Sequence, residues 1–357
     1  MTKRQPKHVS YVNNEGEVFV RKRKKRKHKK EHKKRNILLI ILAFIVVLVL
    51  LLFGAFCLAQ EAGKNNLKTN FNEGKYIEYN GAKYEFNQNI VSTLIIGQDK
   101  DSEDQYDGFA GQADFILLMT LDTETGKMKG ISIPRDTMVE IGEYFGGIAQ
   151  MQGDNGFIQI CLAYGYGDGK DKSCENTIKA VSRLLYNVPI NQYLSLNLEG
   201  IVPLNDSIGG VTLVPIESIP NTPIKKDEKI TLLGNNTRKY VQYRYKADPH
   251  SSEQRRARQV QYFQEFYKQA FSNKSDLGLA VKLFNIANNY SITNLGIPEF
   301  SYLASVVLEN GLSDFSISAI EGTQTVGEKY VEIWPDQTKL YELVINTFYK
   351  KIDDVQQ

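Results

Sequence analysis

Hydrophobic spacing divides the chain into parts before any composition is considered. Residues 37–59 read ILLIILAFIVVLVLLLFGAFCLA, 23 positions without a charge or a polar face. A core helix of a soluble domain shows polar positions every third or fourth residue, and this run shows none. At 1.5 Å per residue it spans about 34 Å, enough to cross a bilayer, and it exceeds the ~7–15 apolar residues of a cleaved leader. The pattern therefore predicts a transmembrane helix over 37–59. Residues 60–88 are polar and aperiodic, which predicts a stalk ending in a short strand at 84–86. From Ile90 the pattern changes. VSTLIIG (91–97) predicts a buried strand, and ADFILLMTLD (113–122) with KMKGISIP (127–134) flanks the turn TETG as a hairpin. A Gly-rich loop fills 142–156. Helical spacing marks 157–166 and 174–187, the second with Ile178, Val181, Leu184 and Leu185 on one face. YLSLNL (193–198) alternates as a half-buried strand, and a short helix after it ends at Gly209 and Gly210, before a strand at 211–215. Residues 252–271 predict a long amphipathic helix with Val260, Phe263, Tyr267 and Ala270 inward. Two more helices, strands near 313–319 and 329–334 and a helix over 337–351 complete the chain. Mixed strands and helices with no repeat or internal linker predict one α/β domain over 89–352.

Charge adds an orientation. Residues 1–36 hold 15 of the 44 Lys and Arg with only three acids, a formal +12, and the remainder carries −9. Basic flanks stay on the cytoplasmic side, so 1–36 reads as a basic cytoplasmic tail and the domain as extracellular, on a single-pass cell-membrane protein. The basic run 21–35 contains no aromatic residue to stack on bases and abuts the apolar run. It reads as a topology signal resting on anionic headgroups, with no nucleic acid as partner. Three of four histidines (His8, His28, His32) lie in that tail, which argues against a His-rich metal site or a Ser-His-Asp relay in the domain. Cys161 and Cys174 fall on the outer side, where oxidation is available. They are expected to form a disulfide worth about 3 kcal/mol on a chain-entropy basis.

Candidate chemistry sits at strand ends. Asp99 follows the first strand, Asp114 opens the second, and Arg135 with Asp136 ends the third. Such ends form a natural ligand crevice in an α/β sheet. A second cluster is Arg244, Asp248, Arg255, Arg256, Arg258 and Gln259. Arg255, Arg258 and Gln259 share one helix face, and Arg256 fits an intrahelical pair with Glu253. Planar guanidinium groups suit phosphate oxygens, so this row in a net-acidic domain suggests a phosphorylated or otherwise anionic substrate.

In this order, VSTLIIGQD, GQADFILLMTLDTETGKMKGISIPRDTM, LAYGYGDG, LNDSIGGVTLVP and YVQYRYKADPHSSEQRRARQ resemble the LytR-CpsA-Psr family of Gram-positive envelope proteins over about 90–350. The resemblance implies an α/β/α sandwich around a mixed central sheet, with an apolar slot for a lipid tail, expected here beside the helices at 157–187 and 197–208. It implies a phosphotransferase that moves a glycopolymer from a polyprenyl-pyrophosphate carrier onto peptidoglycan in cell-wall assembly. Arg135, Asp136 and Asp114 are implied as catalytic. Arg244, Arg255, Arg258, Gln259 and Gln112 are implied at the pyrophosphate, and Asp99 with Asp248 at Mg²⁺. Gln112 and Gln242 stand where the family often has arginine, and Ser252 where it often has an acid. Those departures keep two alternatives open: a non-catalytic sensor or scaffold that binds the lipid-linked polymer, and a lipid pyrophosphatase using water as acceptor.

Overall fold

The computed structural model of the protein describes residues 10–12, 14–20, 47, 51, 54–69, 71, 76–98, 110–140, 156–245, 247–248, 251–272, 277–310, 315–327 and 330–352. Two compact units are present, Met1–Leu58 and Ala59–Gln357. In the first, β1 (Ser10–Val12) and β2 (Val18–Val20) pair antiparallel. The basic run 21–35 and most of 37–59 lie outside the described residues. Among the described residues no helix is long and apolar enough to cross a membrane.

The second unit opens with helical residues 59–66. There follow β3 (Ile77–Tyr79), β4 (Ala82–Phe86), β5 (Ile90–Gln98), β6 (Ala113–Asp122), β7 (Met128–Ile133), β8 (Met138–Glu140) and β9 (Phe157–Gln159). Next come α1 (Leu162–Gly165), α2 (Asp171–Leu184), β10 (Gln192–Leu196), α3 (Ile201–Ser207), β11 (Val211–Leu213), β12 (Ile230–Leu232), α4 (Asn235–Gln242) and α5 (Ser251–Ala270). The chain finishes with α6 (Leu277–Asn289), β13 (Ser291–Thr293), α7 (Ile297–Asn310), β14 (Ser316–Ala319), β15 (Gly322–Val326), β16 (Val331–Pro335), α8 (Gln337–Phe348) and β17 (Tyr349–Lys351).

Six strands make the central mixed sheet in the order β13-β10-β5-β6-β7-β14. β5, β6 and β7 run antiparallel to one another, while β10 joins β5 and β14 joins β7 in parallel. Strand alternation gives the sheet two apolar faces. Leu94, Ile96, Ile116, Leu118, Ile131 and Ile133 point to one face and bury against Val181 of α2 and Leu340, Val344 and Phe348 of α8. Each such side chain contributes about 1.5–3 kcal/mol by leaving water, which makes this layer the main core. The other face is covered by α5, where Arg256 Nη1 donates to Ser132 Oγ at 3.0 Å and the Phe263 ring lies 6.3 Å from that of Phe115. Helices on both faces give the three-layer α/β/α arrangement. A second, smaller core forms from Val211, Leu213, Ile219, Ile224, Leu232 and Tyr240, with Tyr262 and Phe266 of α5 packed on it. Gly209 and Gly210, at φ of 84° and 88°, let the chain turn from α3 directly into β11.

Three expectations change. Residues 157–166 are not one helix, because Phe157–Gln159 pairs with Met138–Glu140 and only 162–165 turns helical. Residues 60–88 are part of the folded unit: β4 is sandwiched between β3 and the C-terminal β17, and Leu67 is buried. Their polar character belongs to the outer face of a three-stranded sheet. Cys161 and Cys174 are not joined by a disulfide, and both are buried. The Cys174 thiol is pushed up to about 12 by burial, with the Ser195 hydroxyl opposing this as a hydrogen-bond partner. An apolar site of this kind favours the neutral thiol over the thiolate that disulfide exchange needs.

Candidate functional site

The antiparallel pairing of β6 and β7 sets Ile116 opposite Ile133. That register brings the start of β6, with Gln112 and Asp114, beside the turn after β7, with Arg135 and Asp136. The bulge at Gly97/Gln98 places the end of β5 at the same edge, opposite Ala113. Arg135 donates through Nη1 to Asp114 and through Nη2 to Gln112. From α5, Arg255 Nη1 reaches the second oxygen of Asp114 at 2.5 Å. One carboxylate thus joins two guanidinium groups from segments over a hundred residues apart. All three side chains are largely shielded, at 15% exposure for Arg135 and Asp114 and 10% for Arg255, so these charge-assisted bonds are strong.

Asp136 is buried deeper and serves differently. Its Oδ1 accepts from Gln159 Nε2 at 2.9 Å, its Oδ2 accepts from Ser252 Oγ at 2.8 Å, and Arg135 Nε lies 3.4 Å from Oδ1. Both oxygens are committed, so Asp136 orients Arg135 and ties the turn to β9 and α5. Ser252 supplies a hydroxyl donor to this carboxylate. Gln159 also donates to the Val331 carbonyl at 2.8 Å, linking β16 to the same turn.

Arg244 follows α4 and is exposed, with its Nε donating to Ser251 Oγ at 3.0 Å. Its pKa is lowered from the ordinary arginine value, first by partial burial and then by the positive charges of Arg255 and Arg135, with Asp136 opposing. Three cations therefore converge: Arg135 and Arg255 locked on Asp114, and Arg244 facing solvent beside them. Arg258 shares the α5 face of Arg255 but has a different fate. It is 1% exposed, with its guanidinium 5.4 Å from the Tyr243 ring and 6.0 Å from the Tyr240 ring. Nη2 donates to the Tyr243 carbonyl, and Nη1 lies 3.2 Å from Glu217. Burial lowers its pKa and Glu217 opposes that shift. Arg258 thus props the smaller core behind the site. Gln259 donates to the Val241 carbonyl at 3.1 Å and clamps α5 to α4. Arg256 pairs with Glu253 as expected.

Asp248 lies in the loop before α5 and accepts from Gln254 Nε2 at 2.9 Å. Asp99 lies outside the described residues. Among the described residues no group of three or more His, Cys, Asp or Glu side chains is arranged to hold a metal ion. Asp114 accepts from two guanidinium groups, and Asp136 accepts from Gln159 and Ser252. Sequence reasoning missed Gln159 and Glu217, which lie in no charged motif, and the donor role of Ser252, since each is recruited across the fold.

The chain carrying this site matches a known family. A family model described as the LytR_cpsA_psr family covers residues 55–347. The chain belongs to this family. A curated relative from Bacillus anthracis, named polyisoprenyl-teichoic acid--peptidoglycan teichoic acid transferase TagU, is 32% identical over 206 residues. That match covers 57% of this chain and 60% of the relative, so the chain spans less than two thirds of the curated relative's length. Among solved structures, B. subtilis TagV superposes with a TM-score of 0.58 at 22% identity, covering 72% of this chain and 96% of TagV. A structure of TagT bound to LI-WTA superposes with a TM-score of 0.56 at 18% identity, covering 78% and 99%. These likenesses establish the LytR_cpsA_psr fold, with its mixed central sheet between helical layers.

Proposed function

We propose that this protein is a membrane-anchored phosphotransferase that moves a glycopolymer from a polyprenyl-pyrophosphate carrier to a peptidoglycan hydroxyl. The observation that carries this reading is the Arg135–Asp114–Arg255 bridge with Arg244 beside it. A diphosphate offers several anionic oxygens, and three guanidinium groups at one sheet edge match that charge. The relative named TagU and the TagT complex with LI-WTA support the same chemistry by similarity. The acceptor hydroxyl oxygen forms a new bond to the glycopolymer-bearing phosphorus, and the bond to the bridging diphosphate oxygen breaks. Polyprenyl monophosphate departs with its negative charge facing the arginines, which stabilise it. Arg135 and Arg255 turn from Asp114 to the diphosphate, and the released carboxylate accepts the hydroxyl proton.

In this proposal the lipid tail lies against the α5 face of the sheet. Phe115 and Phe263 are only half-buried there, whereas Ala163, Tyr164, Cys174 and Val181, from the helices at 157–187, are packed solidly into the main core. The uncharged run 37–59 provides the membrane anchor in this proposal, with the basic tail inside the cell and the domain outside. In this proposal Asp99 and Asp248 would hold Mg²⁺, which would add positive charge at the diphosphate.

The test is turnover by the purified full chain given a polyprenyl-pyrophosphate-linked sugar, with and without glycan acceptor. Release of polyprenyl phosphate only with acceptor supports transfer. Release without acceptor indicates hydrolysis, and binding without release indicates a sensor.

A further inference from the structure

Beside the arginine site, β16 carries an arrangement that the phosphotransfer chemistry leaves unused. Its alternation puts Glu332 and Trp334 on one side while Ile333 turns inward and is buried, and Tyr330 stands in the turn just before the strand. Tyr330 is 55% exposed. Trp334 lies with its ring 5.2 Å from that of Phe157 on β9, tilted by 59°, and its Nε1 donates to Glu332 Oε2 at 3.1 Å. The Tyr166 phenol, raised in pKa chiefly by burial and then by Tyr330, places a further aromatic close by.

The strip is fixed to the reacting end of the sheet by four contacts. Gln159 Nε2 bonds both the Asp136 carboxylate and the Val331 carbonyl, at 2.9 and 2.8 Å. Ile333 N donates to the Asp136 carbonyl at 2.9 Å, and Thr137 bridges to Ile333 in parallel. A single amide side chain therefore separates the carboxylate that orients Arg135 from the residue next to Tyr330.

We propose that Tyr330, Glu332 and Trp334 form a subsite for a pyranose ring of the glycan acceptor, next to the diphosphate site. An exposed phenol ring offers a flat apolar surface to the axial C–H groups of a sugar, and its hydroxyl joins the rim hydrogen bonding. Glu332 is a pure acceptor that takes hydrogen bonds from ring hydroxyls. A sugar ring has one apolar and one hydroxylated face, which an aromatic ring and a carboxylate together can serve. The proposal rests on the transferase reading, because only a transferase requires a second sugar beside the diphosphate.

Trp334 is the only tryptophan in the chain, so its emission reports this strip directly. The full chain in detergent is titrated with a soluble chain of alternating N-acetylglucosamine and N-acetylmuramic acid, and acceptor-dependent turnover is measured in parallel. A saturable emission change is expected. Tyr330→Ala should weaken glycan binding and raise the acceptor KM by about tenfold, the size of one lost stacking contact. Tyr330→Phe should restore most of both, and affinity for the lipid pyrophosphate should be unchanged. Wild-type glycan affinity and KM in Tyr330→Ala, with normal turnover, would overturn the subsite and leave the transferase reading standing. A Tyr330-dependent emission change without acceptor-dependent turnover would support glycan binding here and remove the transferase reading. No emission change in a wild-type protein that transfers normally would also overturn the subsite.

Discussion

Replacing Arg258 by alanine should unfold the protein more readily without first removing its ligand affinity. The Arg258 side chain is 1% exposed and lies beside two tyrosine rings, with its guanidinium bonded to the Tyr243 carbonyl and paired with Glu217 at 3.2 Å. Truncation leaves the carbonyl without its charged donor, at about 1.5–3 kcal/mol. It also opens a gap between the tyrosine rings, where each lost methylene removes about 0.8 kcal/mol of burial. Glu217 is a third exposed, so its loss of a partner is screened and adds less than 1 kcal/mol. The total is about 3–5 kcal/mol. For a domain of this size each kcal/mol lowers Tm by about 2–4 °C, giving a fall of about 6–20 °C. The assay is thermal unfolding of the full chain followed by circular dichroism, beside lipid-pyrophosphate binding measured well below Tm. A shift under 2 °C together with a hundredfold loss of binding would refute the propping role and put Arg258 on the ligand. Arg258→Lys should recover only part of the stability, since one ammonium cannot serve both the carbonyl and Glu217 in a fixed fork.

Arg135→Ala should lower turnover by about 10²–10³ while leaving Tm within a few degrees, checked by single-turnover release of polyprenyl phosphate. Asp136→Ala should lose both activity and about 3 kcal/mol of stability, because Gln159, Ser252 and Arg135 all lose one acceptor; an unchanged denaturation midpoint would contradict the anchoring role. Cys174 holds its proton in the fold up to about pH 12, whereas an unfolded thiol ionises near 9, so folding stability should fall as pH rises between these values. Thiol-reagent labelling of Cys174 at pH 8 should accordingly require unfolding, and rapid labelling of the native protein would contradict its burial. Gly63→Ala should destabilise by about 1–3 kcal/mol, since a Cβ there would overlap the Pro298 backbone; a neutral denaturation profile would show that residues 59–66 do not pack on α7 as described.

Local periodicity was enough to locate β5, β6, β7, β10, α2 and the long α5, because alternation and helical spacing record which side of an element leaves water. It was enough, too, to pair β6 with β7 through a short turn, and hence to bring Asp114 toward Arg135. The anchor at 37–59 is read from apolar length and flanking charge. What periodicity could not decide was which face of α5 is buried where it meets the site. The apolar positions Val260 and Phe263 read as inward but are only half-covered, whereas Arg255 and Arg258 are sequestered. A guanidinium is buried only when acceptors surround it, and these come from Asp114, Glu217 and the Tyr243 carbonyl, on other segments of the chain. The same holds for residues 77–86, whose polar run becomes sheet because the far C-terminus supplies β17, and for Gln159, whose two bonds join Asp136 to β16. The sequence by itself determined the elements and the chemical types at their ends. Only the tertiary structure decided which arginines gather on Asp114 and which hold up the smaller core, because burial of a charge depends on partners brought together by the fold.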